Sequence, residues 1–92
     1  MTHRLDIRKS DQRVTILFQG LLDRSGLSEL EALCQAQANR GLTVHVRLGS
    51  ATRIESELLE PLLRIKDISL EAESPFLARW ILSCMDPKAP GQ

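Results

Sequence analysis

The chain has 92 residues, and its twelve basic and twelve acidic side chains cancel to a net charge of zero at pH 7. This length allows one domain with one hydrophobic core, and a neutral chain is not drawn electrostatically to nucleic acid. The 42% hydrophobic content is that of an ordinary globular protein, and no segment approaches the roughly 18 apolar residues that a membrane span requires. We therefore expect neither nucleic-acid binding nor membrane insertion.

Two alternating patterns near the N-terminus predict a β-hairpin. Leu5 and Ile7 alternate with charged residues. After a Ser-Asp-Gln interruption, Val14, Ile16 and Phe18 alternate mostly with polar residues. Successive side chains on a strand point to opposite faces of the sheet. Each strand of the hairpin is therefore expected to bury one face only.

A helical period replaces the strand pattern over about residues 26–39. The apolar residues of this segment fall on one stripe of the helix: Leu27, Leu30, Cys34 and Ala38. Ser25 or Ser28 can cap the start of the helix through its hydroxyl. Gly41 supplies the left-handed residue that commonly ends a helix.

A third strand follows this helix directly. Val44, Val46 and Leu48 alternate with His45 and Arg47, which predicts one buried face and one face toward water or a partner. We interpret His45 as a half-exposed strand residue rather than a metal ligand or catalytic base, because neither a carboxylate nor a second histidine lies near it in the sequence.

Two more helices and a fourth strand complete the predicted fold. The second helix covers about residues 57–65 with Ser56 as a candidate cap, and Pro61 makes it short. Residues 68–72 alternate as a strand, and Ser74 then caps a last helix whose first turn begins with proline. That helix is apolar on one side, and Trp80 is expected in the core or at its edge.

The elements follow the order β-β-α-β-α-β-α, which predicts an α/β fold with a four-stranded mixed sheet. Parallel strands joined through helices cross over right-handedly, so a sheet that grows in one direction has all its helices on one face. The strand residues expected on that face are Val14, Ile16, Val44, Val46, Leu48 and Leu70. We predict one domain over residues 1–86 and a flexible tail at 87–92.

No pattern for catalysis, a cofactor or a metal is present in the sequence. A nucleophile needs a positioned base, and a zinc site needs several cysteines or histidines at suitable spacing. Cys34 and Cys84 fit neither pattern and are interpreted as reduced, structural thiols. The chain is therefore predicted not to be an enzyme. Its N-terminus lacks the apolar run of a signal peptide, which favours a cytoplasmic location.

Three landmarks along the chain resemble the STAS domain of the bacterial anti-sigma-factor antagonists. The first is Gly-Leu-Leu-Asp at 20–23, where a strand leads into a helix. The second is Ile-Glu-Ser-Glu-Leu at 54–58, at the start of the next helix. The third is Ser-Pro at 74–75, followed by a helix with Arg79 and large apolar residues. The resemblance covers about residues 5–84 and implies a STAS-like fold.

The resemblance implies a protein partner and a phosphorylated serine. Ser56 is then the residue that an anti-sigma kinase phosphorylates, and the unmodified form binds that kinase and frees a sigma factor. The chain departs from the family pattern where Glu55 replaces Asp, Glu57 replaces a second hydroxyl residue and Leu58 replaces Gly. The partner-binding surface expected from the landmarks comprises Asp23, Glu55, Ser56, Glu57 and Glu60.

Two interpretations of Ser56 and two functions stay open at this point. Ser56 is either a phosphoacceptor or an ordinary helix cap, because a helix N-terminus favours a phosphate while Glu55 and Glu57 oppose one. The first function is a regulatory module in transcription signalling. The alternative is a STAS-like subunit that is not phosphorylated and stabilises a transporter ATPase or a signalling assembly. A homodimer is compatible with either.

Overall fold

The structure, a computed structural model, describes residues 3–85. The strands along this range are β1 (His3–Ser10), β2 (Arg13–Leu22), β3 (Thr43–Leu48), β4 (Arg53–Ile54) and β5 (Ile68–Ala72). The helices are α1 (Arg24–Ala38), α2 (Leu59–Leu63) and α3 (Pro75–Met85), with a 3₁₀ helix at Ser56–Leu58. The tail predicted at 87–92 and the side chain of Cys84 lie outside what the structure describes.

The longer strands form one mixed sheet in the order β1-β2-β3-β5. β1 pairs antiparallel with β2 across a tight turn in which Asp11 has a φ of 54°. Aspartate tolerates this left-handed conformation better than most residues. β3 runs parallel to β2, and β5 runs parallel to β3. The predicted α/β class, the mixed sheet and the antiparallel first pair are therefore confirmed.

One face of the sheet carries the hydrophobic core. The core residues of β2 and β3 lie side by side in the parallel register and are fully buried: Val14, Ile16, Phe18, Val44, Val46 and Leu48. Leu30 of α1, Leu62 of α2 and Ile81 of α3 belong to the same cluster. Because alternate residues of a strand face opposite sides, the three helices of the described range cover one face, as predicted.

The sheet has one short strand more than predicted. β4 pairs with the end of β2, where Arg53 lies beside Leu21 and Ile54 beside Leu22. Alternation is recognised only over four or more residues. A strand of two residues therefore leaves no pattern in the sequence, and no element was predicted for this segment.

The cap of α1 also differs from the prediction. Asp23 holds the cap position, and neither Ser25 nor Ser28 does. The Oδ1 atom of Asp23 accepts a hydrogen bond from the N–H of Gly26 at 2.8 Å. Aspartate caps helices as well as serine does, so the residue nearest the end of β2 takes this position and the helix starts earlier than expected.

Three other local predictions are confirmed. Gly41 follows α1 with a φ of 80°, the left-handed conformation expected after a helix. The hydroxyl of Ser74 accepts a hydrogen bond from the N–H of Leu77 at 3.4 Å at the start of α3. Trp80 is half-buried and packs against the core cluster.

Cys34 lies in the core, as predicted for a structural thiol. Its exposed fraction is 2%. Burial, together with the nearby carboxylate of Glu31, raises the pKa of the thiol to about 11. The thiolate is the reactive form of cysteine, so Cys34 is chemically quiet at neutral pH.

Val46→Ala is expected to lower the free energy of unfolding by about 1–3 kcal/mol, because it removes buried methyl groups and leaves a cavity. Ser69→Ala is the matched control. Ser69 is exposed on the opposite face of β5, and its substitution is expected to change the free energy by less than about 0.5 kcal/mol. Urea denaturation followed by circular dichroism measures both. Equal midpoints for the two variants would contradict the assignment of Val46 to the core.

Candidate functional site

The predicted site lies at the edge of the sheet where β2 and β3 end. The carboxyl ends of neighbouring parallel strands meet at one edge, and this is where open α/β sheets commonly carry their binding surfaces. Asp23 follows β2 directly, and the chain leaving β3 returns to β2 before its next helix. The fold therefore brings Asp23 and the segment after β3 to the same edge of the sheet.

The carbonyl oxygen of Phe18 fixes the turn that follows β3. It accepts hydrogen bonds from the N–H of Gly49 at 2.8 Å and from the hydroxyl of Thr52 at 3.0 Å. The N–H of Thr52 donates to the carbonyl oxygen of Gly49 at 3.0 Å, which closes the turn. Thr52 is buried. If this hydrogen bond broke, water could not take its place, and the hydroxyl would be left without a partner.

After this turn the chain reaches the neighbourhood of Asp23. The N–H of Glu55 donates to the carbonyl oxygen of Leu22 at 3.4 Å, one residue before Asp23. The backbones of Asp23 and Glu55 therefore lie at the same edge of the sheet. Asp23 is half-buried and its carboxylate caps α1, so this residue has a structural task whatever it contacts.

Leucines hold the segment after Glu55 against the core. They lie on its inner side and are buried: Leu58, Leu59 and Leu62. The other predicted site residues point outward and are exposed: Glu55, Ser56, Glu57 and Glu60. The buried leucines keep the segment in place, and the exposed residues do not contribute to this packing.

Ser56 does not cap a helix, so the cap interpretation of this residue is wrong. It is the first residue of the 3₁₀ helix, and Glu55 holds the cap position without a side-chain hydrogen bond. The helix predicted over 57–65 is instead a 3₁₀ turn followed by α2, which begins at Leu59. This start puts Pro61 in the first turn of α2, where a missing N–H costs no hydrogen bond. A helix this short has a small dipole, which weakens its support for an anion.

The exposed surface of this segment is acidic. Glu60 forms an ion pair with Arg64 at 3.6 Å, but an exposed pair of this kind stabilises little. Within residues 3–85, neither Glu55 nor Glu57 takes part in an ion pair. Their carboxylates place negative charge on both sides of Ser56.

An open concavity of about 470 Å³ lies between this segment and α3. It is lined by Ser56, Leu59, Glu60, Leu63 and Trp80. Trp80 was predicted in the core or at its edge, and no prediction connected it with Ser56. Trp80 and Ser56 line one concavity because α2 packs against α3, and no local pattern in the sequence indicates that arrangement.

Two side-chain pairs lie on the outer face of the sheet. Nε2 of His45 lies 2.9 Å from a carboxylate oxygen of Glu71, and Nε of Arg47 lies 3.2 Å from one of Glu73. The first pair links β3 to β5, and the second links β3 to the residue that follows β5. His45 is half-buried, as predicted, but the sequence analysis missed its partner because the carboxylate lies on the next parallel strand.

No three His, Cys, Asp or Glu side chains within the described range lie close enough to hold a metal ion. None of the helices in residues 3–85 is long and apolar enough to cross a membrane. No family model matches the chain, and no curated protein is significantly similar to it. Its function has to be inferred from the residues and their geometry.

Thr52→Val is expected to lower the free energy of unfolding by about 1 kcal/mol, because it removes the hydroxyl bonded to Phe18 and nearly keeps the side-chain size. Amide hydrogen exchange should also become faster over residues 49–55. Thr43→Val is the control, since Thr43 is exposed. Equal stability of the two variants would show that the hydroxyl does not hold the turn.

Ser56→Ala is expected to change the free energy of unfolding by less than about 0.5 kcal/mol, because the side chain is exposed and makes no capping bond. Asp23→Ala should cost about 1 kcal/mol, because it removes the cap of α1. Thermal melts of both variants measure the difference. A loss for Ser56→Ala as large as that for Asp23→Ala would mean that Ser56 is a cap after all.

Proposed function

We propose that the chain is a regulatory protein-binding domain of the STAS type, similar to anti-sigma-factor antagonists, and that the surface around Ser56 contacts its partner. The observation that carries the proposal is the position of three sequence landmarks in the fold. Gly-Leu-Leu-Asp at 20–23 leads into α1, Ile-Glu-Ser at 54–56 starts the helical segment after β3, and Ser-Pro at 74–75 opens α3. Each landmark lies at or next to the start of a helical segment, and this supports the proposal.

The geometry of the surface around Ser56 supports binding to a protein. Its exposed residues stand on a turn fixed by Phe18 and on a segment held by buried leucines. A surface that is already ordered pays little conformational entropy when a partner binds. Together with the concavity beside Trp80, it offers both charge and apolar area to a partner.

Regulation by phosphorylation is the first form of the proposal. The unmodified chain binds an anti-sigma kinase and frees a sigma factor, and phosphate on Ser56 ends that complex. Ser56 is exposed and lines the concavity, so a kinase can reach its hydroxyl. A phosphate carries about −1.5 to −2 charges, which beside Glu55 and Glu57 would strongly change the potential that a partner meets.

A subunit that is not phosphorylated is the second form, and a specific observation favours it. Glu55 and Glu57 flank Ser56 without ion pairs within residues 3–85, and like charges oppose a phosphate between them. Glu57 would then provide a permanent negative charge. In this form the chain stabilises a transporter ATPase or a larger signalling assembly.

Affinity capture with the full chain, followed by mass spectrometry of the bound proteins and of Ser56, separates the two forms. A kinase as the bound protein, with phosphate on Ser56, supports the first form. A transporter or signalling subunit, with Ser56 unmodified, supports the second. Capture of nucleic acid alone would contradict both.

Glu57→Lys is expected to weaken binding of the captured partner by more than about 1 kcal/mol, roughly fivefold in Kd, by reversing a charge in the interface. The fold should lose only a few tenths of a kcal/mol, because Glu57 is exposed. Glu31→Lys, an equal charge reversal at an exposed site on α1, is the control.

Calorimetric titration of the partner against both variants and the wild type gives the affinities, and circular dichroism checks the fold. Wild-type affinity in Glu57→Lys would remove the start of the helical segment from the interface. The outer face of the sheet, with His45 and Arg47, would then be the next surface to test.

A further inference from the structure

β1 lies at one edge of the sheet. Within residues 3–85 it pairs with β2 on one side, and no strand pairs with its other side. The strand is 8 residues long and runs from His3 to Ser10. An edge strand of this length presents a row of backbone N–H and C=O groups that another strand can bind. The outer edge of β1 is therefore a candidate interaction surface.

The turn after β1 determines which backbone groups point toward this edge. Ser10 and Arg13 are partners across the turn, and a two-residue hairpin turn closes with a hydrogen bond between its flanking residues. Hydrogen-bonded and non-hydrogen-bonded pairs alternate along antiparallel strands. The even-numbered residues of β1 therefore bond to β2, and the backbone groups of the odd-numbered residues point outward: His3, Leu5, Ile7 and Lys9.

The side chain of Ile7 is also incompletely covered at this edge. Its register partner on β2 is Ile16, which is fully buried, whereas 42% of Ile7 is exposed. Paired residues of an antiparallel sheet lie on the same face, so Ile7 lies on the face that carries the core. A strand bound beside β1 would flank Ile7 in the way that β1 and β3 flank Ile16.

Charged side chains alternate along the opposite face of β1: Arg4, Asp6 and Arg8. They restrict how β1 can pair with β1 of a second copy about a two-fold axis. An antiparallel pairing of residues 3–9 would put Asp6 opposite Asp6 and Arg4 opposite Arg8, where like charges repel. A pairing of residues 4–10 puts Asp6 of each copy opposite Arg8 of the other, where opposite charges attract.

We propose that β1 pairs with β1 of a second copy over residues 4–10, and that the chain forms a two-fold symmetric dimer with one continuous sheet. Ile7 lies on the axis, where each copy exchanges backbone hydrogen bonds with the other and the two isoleucine side chains pack together. Two pairs of Asp6 with Arg8 flank this contact. Backbone hydrogen bonding, apolar contact and charge therefore agree on one register.

The other edge of the sheet lacks this complementarity. β5 covers Ile68–Ala72. A two-fold pairing centred on Glu71 would put like charges opposite each other, and one centred on Leu70 would put Ser69 opposite Glu71 without forming an ion pair. The edge that fits a second copy is therefore that of β1.

The dimer does not depend on the proposed function. No residue of the surface around Ser56 belongs to β1, so pairing of the edges leaves that surface exposed in both copies. A partner with two binding sites would then bind the dimer more tightly than a single copy.

Sedimentation equilibrium of the full chain over about 1 µM to 1 mM tests the dimer. One strand pair buries less surface than a standard interface of about 1,600 Å², so we expect a dimer that dissociates on dilution. Asp6→Arg and Arg8→Asp should each weaken it at least about tenfold, because symmetry turns each substitution into two like-charge pairs. Circular dichroism checks the fold of each variant.

A charge exchange and a matched control test the register. The variant with both Asp6→Arg and Arg8→Asp restores opposite charges and should dimerise within about threefold of the wild type. Arg4→Glu changes the net charge as much as Arg8→Asp does, but it lies opposite Ser10 and should change the affinity by less than about twofold. It breaks only the exposed ion pair of Arg4 with Asp6.

A disulfide cross-link identifies the residue on the axis. The Cα atoms of a hydrogen-bonded antiparallel pair lie about 5.5 Å apart, a distance that a disulfide spans. In a Cys84→Ser background with diamide as the oxidant, Ile7→Cys should form a covalent dimer. Lys9→Cys should not, because the two copies of this position lie about 13 Å apart along the strands.

Several results would overturn the inference. A monomer at every concentration would reject the dimer, and a dimer unaffected by any of the charge reversals would have its interface elsewhere. Weakening by Arg4→Glu, without recovery in the double variant, would reject the register over residues 4–10. Species that keep growing beyond a dimer would indicate that β1 pairs with β5 of the next copy, which is an open-ended contact.

Discussion

The carbonyl oxygen of Phe18 joins the sheet to the candidate site, and the position of the whole site depends on it. Phe18 is the last residue of β2 paired with β3, and its oxygen accepts hydrogen bonds from Gly49 and Thr52. Two donors on one buried acceptor fix the direction in which the chain leaves β3. With that direction set, β4 pairs with the end of β2 and Glu55 reaches Leu22. The position of the exposed acidic surface is therefore set by β2 and β3, the central strands of the sheet.

In the helical segment after Glu55, the buried residues stabilise the fold and the exposed residues are available to a partner. Each buried leucine contributes about 1.5–3 kcal/mol to the fold, whereas an exposed charge such as Glu57 changes stability by only a few tenths of a kcal/mol. Substitutions of Ser56, Glu57 and Glu60 can therefore change the binding surface without unfolding the domain. Asp23 is the exception among the predicted site residues, because its carboxylate also caps α1.

The sequence predicted those parts of the fold that depend on a repeated local pattern. The long strands and α1 bury one side over many residues, so the spacing of their apolar residues predicts them from the sequence. What escaped prediction depends on contacts between distant segments. His45 contacts Glu71 only through the parallel register of β3 and β5, and Trp80 and Ser56 line one concavity only through the packing of α2 and α3. The cap at Asp23 was missed for a different reason, because several adjacent polar residues were equally suitable.

Leu58 stands where the pattern that the chain resembles has glycine, and its surroundings bear on how the site is regulated. Its φ of −98° and ψ of −6° are accessible to any residue, so the backbone there does not require glycine. Its side chain is buried, and its N–H donates to the carbonyl oxygen of Glu55 at 2.8 Å. A phosphorylation switch needs a segment whose contacts change with the added charge. The buried side chain of Leu58 and its hydrogen bond to Glu55 hold this turn without the hydroxyl of Ser56. In the phosphorylated form of the proposed function, a phosphate on Ser56 would therefore act through its charge on the partner rather than by moving the segment, and the unphosphorylated form needs no such change.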